Sequence, residues 1–179
     1  MSPIFGIYAS QVTGHPWAPT GAYDAIASTT LSATAASITF SGIPSTYTHL
    51  QIRLSTPTSA AANFYFQVNG DTGSNYSWHE LYGDGASASS GGTGGATAGY
   101  FIYSPSTNPT AAVLDFLDYG NIYKYKTIRG LAGQDNNGSG RVEFTSTAWR
   151  NTAAITSITI YPSTGTFSTY GIFSLYGIR

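Results

Sequence analysis

Apolar and polar residues alternate strictly along much of this chain, and no window of a dozen residues carries the i, i+3, i+4, i+7 apolar spacing of a helix. In YTHLQIRLS, Leu50, Ile52 and Leu54 fall on one side of an extended backbone while His49, Gln51 and Arg53 fall on the other. ANFYFQVNG repeats the pattern with Phe64, Phe66 and Val68, and SITIYP with Ile158 and Ile160. Further runs, YDAIASTTL, ASITFSG, NYSWHELYG, AGYFIYS, AAVLDFLDYG, YKTIRGLAG, RVEFTSTAW and YGIFSLYGI, bring the candidate strands to about eleven. They are separated by turn clusters such as SGIPST, NGDTGSN, SPSTNPT, QDNNGSG and PSTGTFS. Many short strands punctuated by turns fit an all-β, antiparallel β-sandwich of jelly-roll type rather than βαβ units, with residues 21–179 as a single sandwich domain.

Two segments break the alternation. Residues 84–97, DGASASSGGTGGAT, have too little apolar surface to offset their ordering entropy, which predicts a mobile loop between strands. Residues 1–20, MSPIFGIYASQVTGHPWAPT, set Ile4, Phe5, Ile7, Tyr8 and Trp17 among Gly and Pro. Such a segment reads as an extended N-terminal arm whose apolar anchors need a surface to lie on, and it is the expected docking element.

Only 8% of the 179 residues are charged, with seven basic and eight acidic side chains, so the surface must be built from Ser, Thr, Asn, Gln and Gly. With no basic cluster beyond Lys124, Lys126 and Arg129, nothing neutralises a run of phosphates, and nucleic acid is not an expected partner. The longest apolar runs fall short of a membrane span, and MSPIFGIYASQ lacks the basic and apolar regions of a signal peptide, so neither membrane insertion nor export by that route is expected. Cysteine is absent, which excludes disulfides, thiol catalysis and Cys-based zinc. A near-neutral surface this poor in charge tends to associate, so an oligomer is expected.

The most chemically suggestive stretch is NGDTGSNYSWHELYGDG at 69–85. Asn69, Asp71, Asn75, Glu80 and Asp84 are oxygen donors, but their spacing does not match a calcium loop, and His79 and Glu80, being adjacent in a strand, leave on opposite faces. The stretch reads better as turn, strand and turn. DNNGSGRVEFTS at 135–146 places Asp135, Asn137 and Ser139 alternately with Gly140 sixth, yet its twelfth residue is Ser146 where a bidentate carboxylate is needed. A hairpin loop is the simpler reading. Asp115 and Asp118 are three apart, too far out of phase to flank one bond from the same strand face, and no nucleophile elbow, phosphate loop or dinucleotide fingerprint is present. No catalytic residue, metal or cofactor is expected, and the chain reads as a non-enzyme. Aromatics leave one option open: Trp78, Tyr82 and Trp149 could stack on sugar rings, or could fill the core or a subunit interface.

The phrases PIFGIYAS, SITFSGIPSTYTHLQIRLS, NGDTGSNYSWHELYGDG, LDFLDYGNIYKYKTIRGLAG, NGSGRVEFTSTAWRNTAAITSITIYPSTGTF and FSLYGIR, which run over nearly the whole chain, resemble a family of tailed-bacteriophage structural proteins. Its members are described as tail-fibre, head-fibre or capsid decoration proteins. The resemblance implies a non-enzymatic virion component assembled in the cytoplasm of the host bacterium, and it supplies no catalytic residues. Because the long shaft of a complete tail fibre is missing, the expectation falls on a decoration (cement) protein. It would be bound to the major capsid protein at the capsid surface, self-associating as a homotrimer and stabilising the shell. The alternatives are a receptor-binding module for host-surface glycan, and a glycan hydrolase with carboxylates such as Glu80 and Asp115 contributed by different strands.

Overall fold

The computed structural model describes residues 21–104 and 107–179. The arm expected at 1–20, with Ile4, Phe5, Ile7, Tyr8 and Trp17, lies outside the described residues. Among those described, the regular structure consists of twelve β-strands: β1 Tyr23–Thr30, β2 Ile38–Phe40, β3 His49–Thr56, β4 Ala62–Val68, β5 Tyr76–Gly83, β6 Ala88–Ala96, β7 Gly99–Ser104, β8 Thr110–Leu117, β9 Lys126–Asp135, β10 Gly140–Trp149, β11 Ile158–Pro162 and β12 Ile172–Ile178. They form an eight-stranded sheet, β1-β12-β3-β8-β9-β10-β5-β6, and a four-stranded sheet, β2-β11-β4-β7. Every pairing is antiparallel.

The jelly roll is visible once two hairpins are set aside. Without β5–β6 and β9–β10, the order β1-β12-β3-β8 faces β2-β11-β4-β7. The first strands pair with the last (β1 with β12, β2 with β11, β3 with β8, β4 with β7), so the chain is one long antiparallel ribbon whose successive strand pairs alternate between the two sheets. The two extra hairpins join the edge left free at β8 and extend that sheet by four strands.

Alternation determines what lies inside. Leu50, Ile52, Leu114 and Phe116 of the large sheet meet Phe64, Phe66, Ile158 and Ile160 of the small one, all fully buried. Phe66 sits in the middle, with ring centroids 5.4 Å from Phe116, 6.4 Å from Tyr76 and 6.5 Å from Phe101, in edge-on or tilted contacts favoured by aromatic quadrupoles. Gly99 is what admits it. A Cβ there would lie 2.1 Å from the Phe66 ring.

Two expectations need correction. The Gly/Ser tract at 84–97 is not a mobile loop: residues Ala88–Ala96 form edge strand β6, paired with β5 from Gly83↔Ala88 to Tyr76↔Ala96. The ladder to β5 satisfies one side of its backbone, and the missing side chains make room for those of β5. A Cβ on Gly91 would stand 2.5 Å from Glu80 Oε1, and one on Gly92 would stand 2.7 Å from the His79 ring. The second concerns Trp149, for which a sugar-stacking surface and a place in the core were both open. It is 1% exposed and belongs to the core.

Candidate functional site

Asp71 explains both Trp149 and the 69–85 stretch. Asn69 and Gly70 turn the chain with φ of 54° and 66°, and the Asp71 carboxylate then accepts from Gly73 N at 2.9 Å, Asn75 Nδ2 at 3.0 Å and Trp149 Nε1 at 2.7 Å. Burial pushes its pKa upward, but these three donors outweigh that and hold it below the usual carboxylate range. The Asn69 side chain accepts from the amides of Thr156 and Ser157, and Asp84 from those of Ala86 and Ser87. The side-chain oxygens of Asn69, Asp71 and Asp84 that suggested a metal loop are therefore taken up by backbone and side-chain donors. Asp135 is likewise engaged, taking the Asn137 amide at 2.7 Å in the β9–β10 hairpin turn.

The carboxylates considered for a hydrolase are separated. Asp115 lies on the outer face of β8 and accepts from Gln51 Nε2 at 2.7 Å, directly across from Arg129. Asp118, at φ 48°, is held by Lys124 and donates its amide to His49 Nδ1 at 2.9 Å. Glu80 points to the inner face of β5, where sequence inspection alone had not placed any partner. There it meets Glu143 and Arg141 of β10. Arg141 Nε donates to Glu143 Oε2 at 2.6 Å, and its Nη2 lies 3.5 Å from Glu80 Oε2. Tyr103 N adds a bond to Glu143 Oε2 at 3.3 Å, linking this pair to β7 of the small sheet. Burial, then the neighbouring Glu80 carboxyl, pushes the Glu143 pKa up to about 7, with Arg141 and Tyr100 pulling the other way. Glu80 Oε2 and Glu143 Oε1 are both buried without a hydrogen-bond partner among the described residues, and a proton retained on Glu143 relieves that arrangement. Tyr82, a possible stacking surface, has a ring face already covered: the Arg141 guanidinium sits 3.4 Å from its centroid.

Trp78 is the stacking candidate that lies in a cavity. It packs against Tyr100 with centroids 4.7 Å apart, and Tyr100 lies 5.8 Å from Tyr65, which lies 5.9 Å from Tyr161. The groove beside them, of about 550 Å³, is lined by Tyr65, Trp78, Tyr161, Thr93, Thr97 and Ser163 together with small residues of β6 and the β6–β7 turn. It forms where the inserted β5–β6 hairpin overhangs the edge of the small sheet. The signal for Tyr65 and Tyr161 was in the sequence, because both occupy the outward phase of strands whose other phase is apolar.

On the opposite side of the eight-stranded sheet lies an apolar strip. Phe144 is directly opposite Leu81 on one neighbour and Leu131 on the other, and Val142 follows two residues away on the same face. These side chains are 53%, 60%, 53% and 58% exposed respectively. Strand β10 is thus inside out: Glu143, Thr145 and Thr147 are buried while Val142 and Phe144 face outward. No protein-family model matches the chain, and no curated protein matches it.

Proposed function

We propose that this chain is a non-enzymatic structural protein of a bacteriophage virion, a decoration protein that sits on the outer capsid surface and associates with copies of itself. The observation that carries this reading is the inverted polarity of β10. A strand that buries a glutamate and two threonines while exposing Val142 and Phe144 gives up burial free energy in the single chain, and Leu81 and Leu131 enlarge the exposed strip. Each such side chain is worth ~1.5–3 kcal/mol when a partner covers it. With only 8% charged residues, little like-charge repulsion opposes contact between copies. Jelly-roll sandwiches also serve as viral capsid domains, and that analogy of fold supports the reading.

In this reading, self-contact through the outer sheet face gives a trimer, and residues 1–20 bind the major capsid protein. Quantitative mass spectrometry of purified virions is the test. A copy number on the scale of the shell subunits is expected. A copy number on the scale of a tail tip would move the protein to receptor binding, and its absence from virions would overturn the proposal. Release of reducing ends from host polysaccharide would instead favour the hydrolase.

A further inference from the structure

We propose that the groove between the β5–β6 hairpin and the edge of the four-stranded sheet binds a neutral oligosaccharide. The reading does not depend on the outer apolar strip, which lies on the other face of β5.

Three properties of the groove converge on that ligand. Its rings form a connected series, Trp78 to Tyr100 to Tyr65 to Tyr161, with successive centroids 4.7, 5.8 and 5.9 Å apart. Tyr100 is buried and backs the others, while Trp78, Tyr65 and Tyr161 are half-buried and line the groove. A pyranose ring offers an apolar C–H face and a rim of hydroxyls, which suits an amphipathic aromatic floor with hydroxyls at its edges. Those edges are present. Thr93 stands directly across from Trp78 in the β5–β6 ladder, Thr97 follows on the turn, and Ser163 closes the far side. Ser163 Oγ accepts the Asn63 amide at 3.0 Å, which leaves its own O–H to donate.

Charge narrows the class. No residue lining the groove is ionisable apart from the two tyrosines. The nearby charged groups Glu80, Glu143 and Arg141 are engaged with one another behind Tyr100. An acidic sugar or a nucleotide strand would find aromatic stacking here but no cation for its anionic groups, whereas single-strand binding combines stacking with a basic groove. A neutral sugar loses nothing by that absence.

The test is a neutral-glycan array followed by titration of the full chain with the best hexasaccharide, with tryptophan fluorescence as readout and oligothymidylate as the control. Saturable binding of a neutral glycan is expected, weakened about tenfold or more by Trp78→Ala or by Tyr161→Ala. Thr93→Arg, on an exposed edge-strand position, fills the groove from its rim without touching the core and is expected to abolish binding while leaving the circular dichroism spectrum unchanged. Tyr82→Ala, outside the groove, is expected to bind as the unaltered chain does. No binding across the array, binding insensitive to Thr93→Arg and Tyr161→Ala, or salt-sensitive preference for oligothymidylate would each overturn the assignment.

Discussion

At the scale of single residues, Glu143 is the most consequential side chain in the described structure. It is buried on the inner face of β10, accepts from Arg141 and from the Tyr103 amide, and so joins the extended sheet to β7 of the small one. Burial and the Glu80 carboxyl raise its pKa from 4.5 to about 7, so between these pH values the unfolded chain loses a proton that the folded chain keeps. Its contribution to stability is therefore full below about pH 4.5, declines as pH rises to about 7 and is lost above that, a total on the order of 3 kcal/mol. Asp71 and Asp118 act in the opposite sense at lower pH. Trp149, Asn75 and Gly73 hold the first below its usual range, and Lys124 holds the second, so their contributions fade as acid protonates them. Urea unfolding at about pH 5 and about pH 8 should show the protein more stable at the lower pH. Glu143→Gln keeps the shape but has no proton to lose, and should flatten the difference. Equal slopes in both proteins would contradict the assignment.

Among the elements, β10 shows where alternation stops being a guide. RVEFTSTAW announces a strand, and the pairing is as legible as in β3 or β4, but the apolar phase of Val142 and Phe144 points outward. The anchor is at its end: Trp149 is buried against the 69–75 turn, with its indole N–H on Asp71, and a one-residue slip would turn every side chain of the strand over. Strand existence was thus readable from period and turn residues. Orientation was not, because it depends on a contact between Trp149 and a residue 78 positions away. Strand β6 was hidden for a different reason. Its sequence ASSGGTGGA carries no alternation, and its place is set by the side chains of β5 that lie across it. The groove was half legible: Trp78 stood out, but Tyr65, Tyr100 and Tyr161 come from three other strands and meet it only in the fold. The outward phase of β10 yields a prediction of its own. Phe144→Asp should convert a self-associating protein to monomer in multi-angle light scattering, and should change the melting temperature little, because exposed substitutions usually cost within about 0.5 kcal/mol. Unaltered association would remove the strip from the interface, and a collapse of the fold would show that it supports the single chain.

The whole molecule divides its labour by topology. The eight ribbon strands hold most of the aromatic and aliphatic core, whereas the inserted hairpins β5–β6 and β9–β10 carry Trp78, Glu80, Glu143, Arg141 and the apolar strip. Added to the β8 edge, they widen one sheet far beyond its partner, which creates both an overhang on one side and a broad outer face on the other. The described chain enters at the opposite end of that sheet, through Gly21 into edge strand β1. Among the described residues, the buried core cluster runs from Leu31 onward. Several apolar anchors, Ile4, Phe5, Ile7, Tyr8 and Trp17, each worth ~1.5–3 kcal/mol when buried, could offset much of the ordering cost of an arm laid in a groove of another protein. Deletion of residues 1–20 should leave the β-type circular dichroism spectrum and the self-association intact while abolishing attachment to capsids that lack the protein. Phe144→Asp should do the reverse in part, losing self-association while single copies still attach through the arm. If the truncated chain decorates those capsids at full occupancy, the arm is not the docking element; if it fails to fold, residues 1–20 belong with the sandwich core instead.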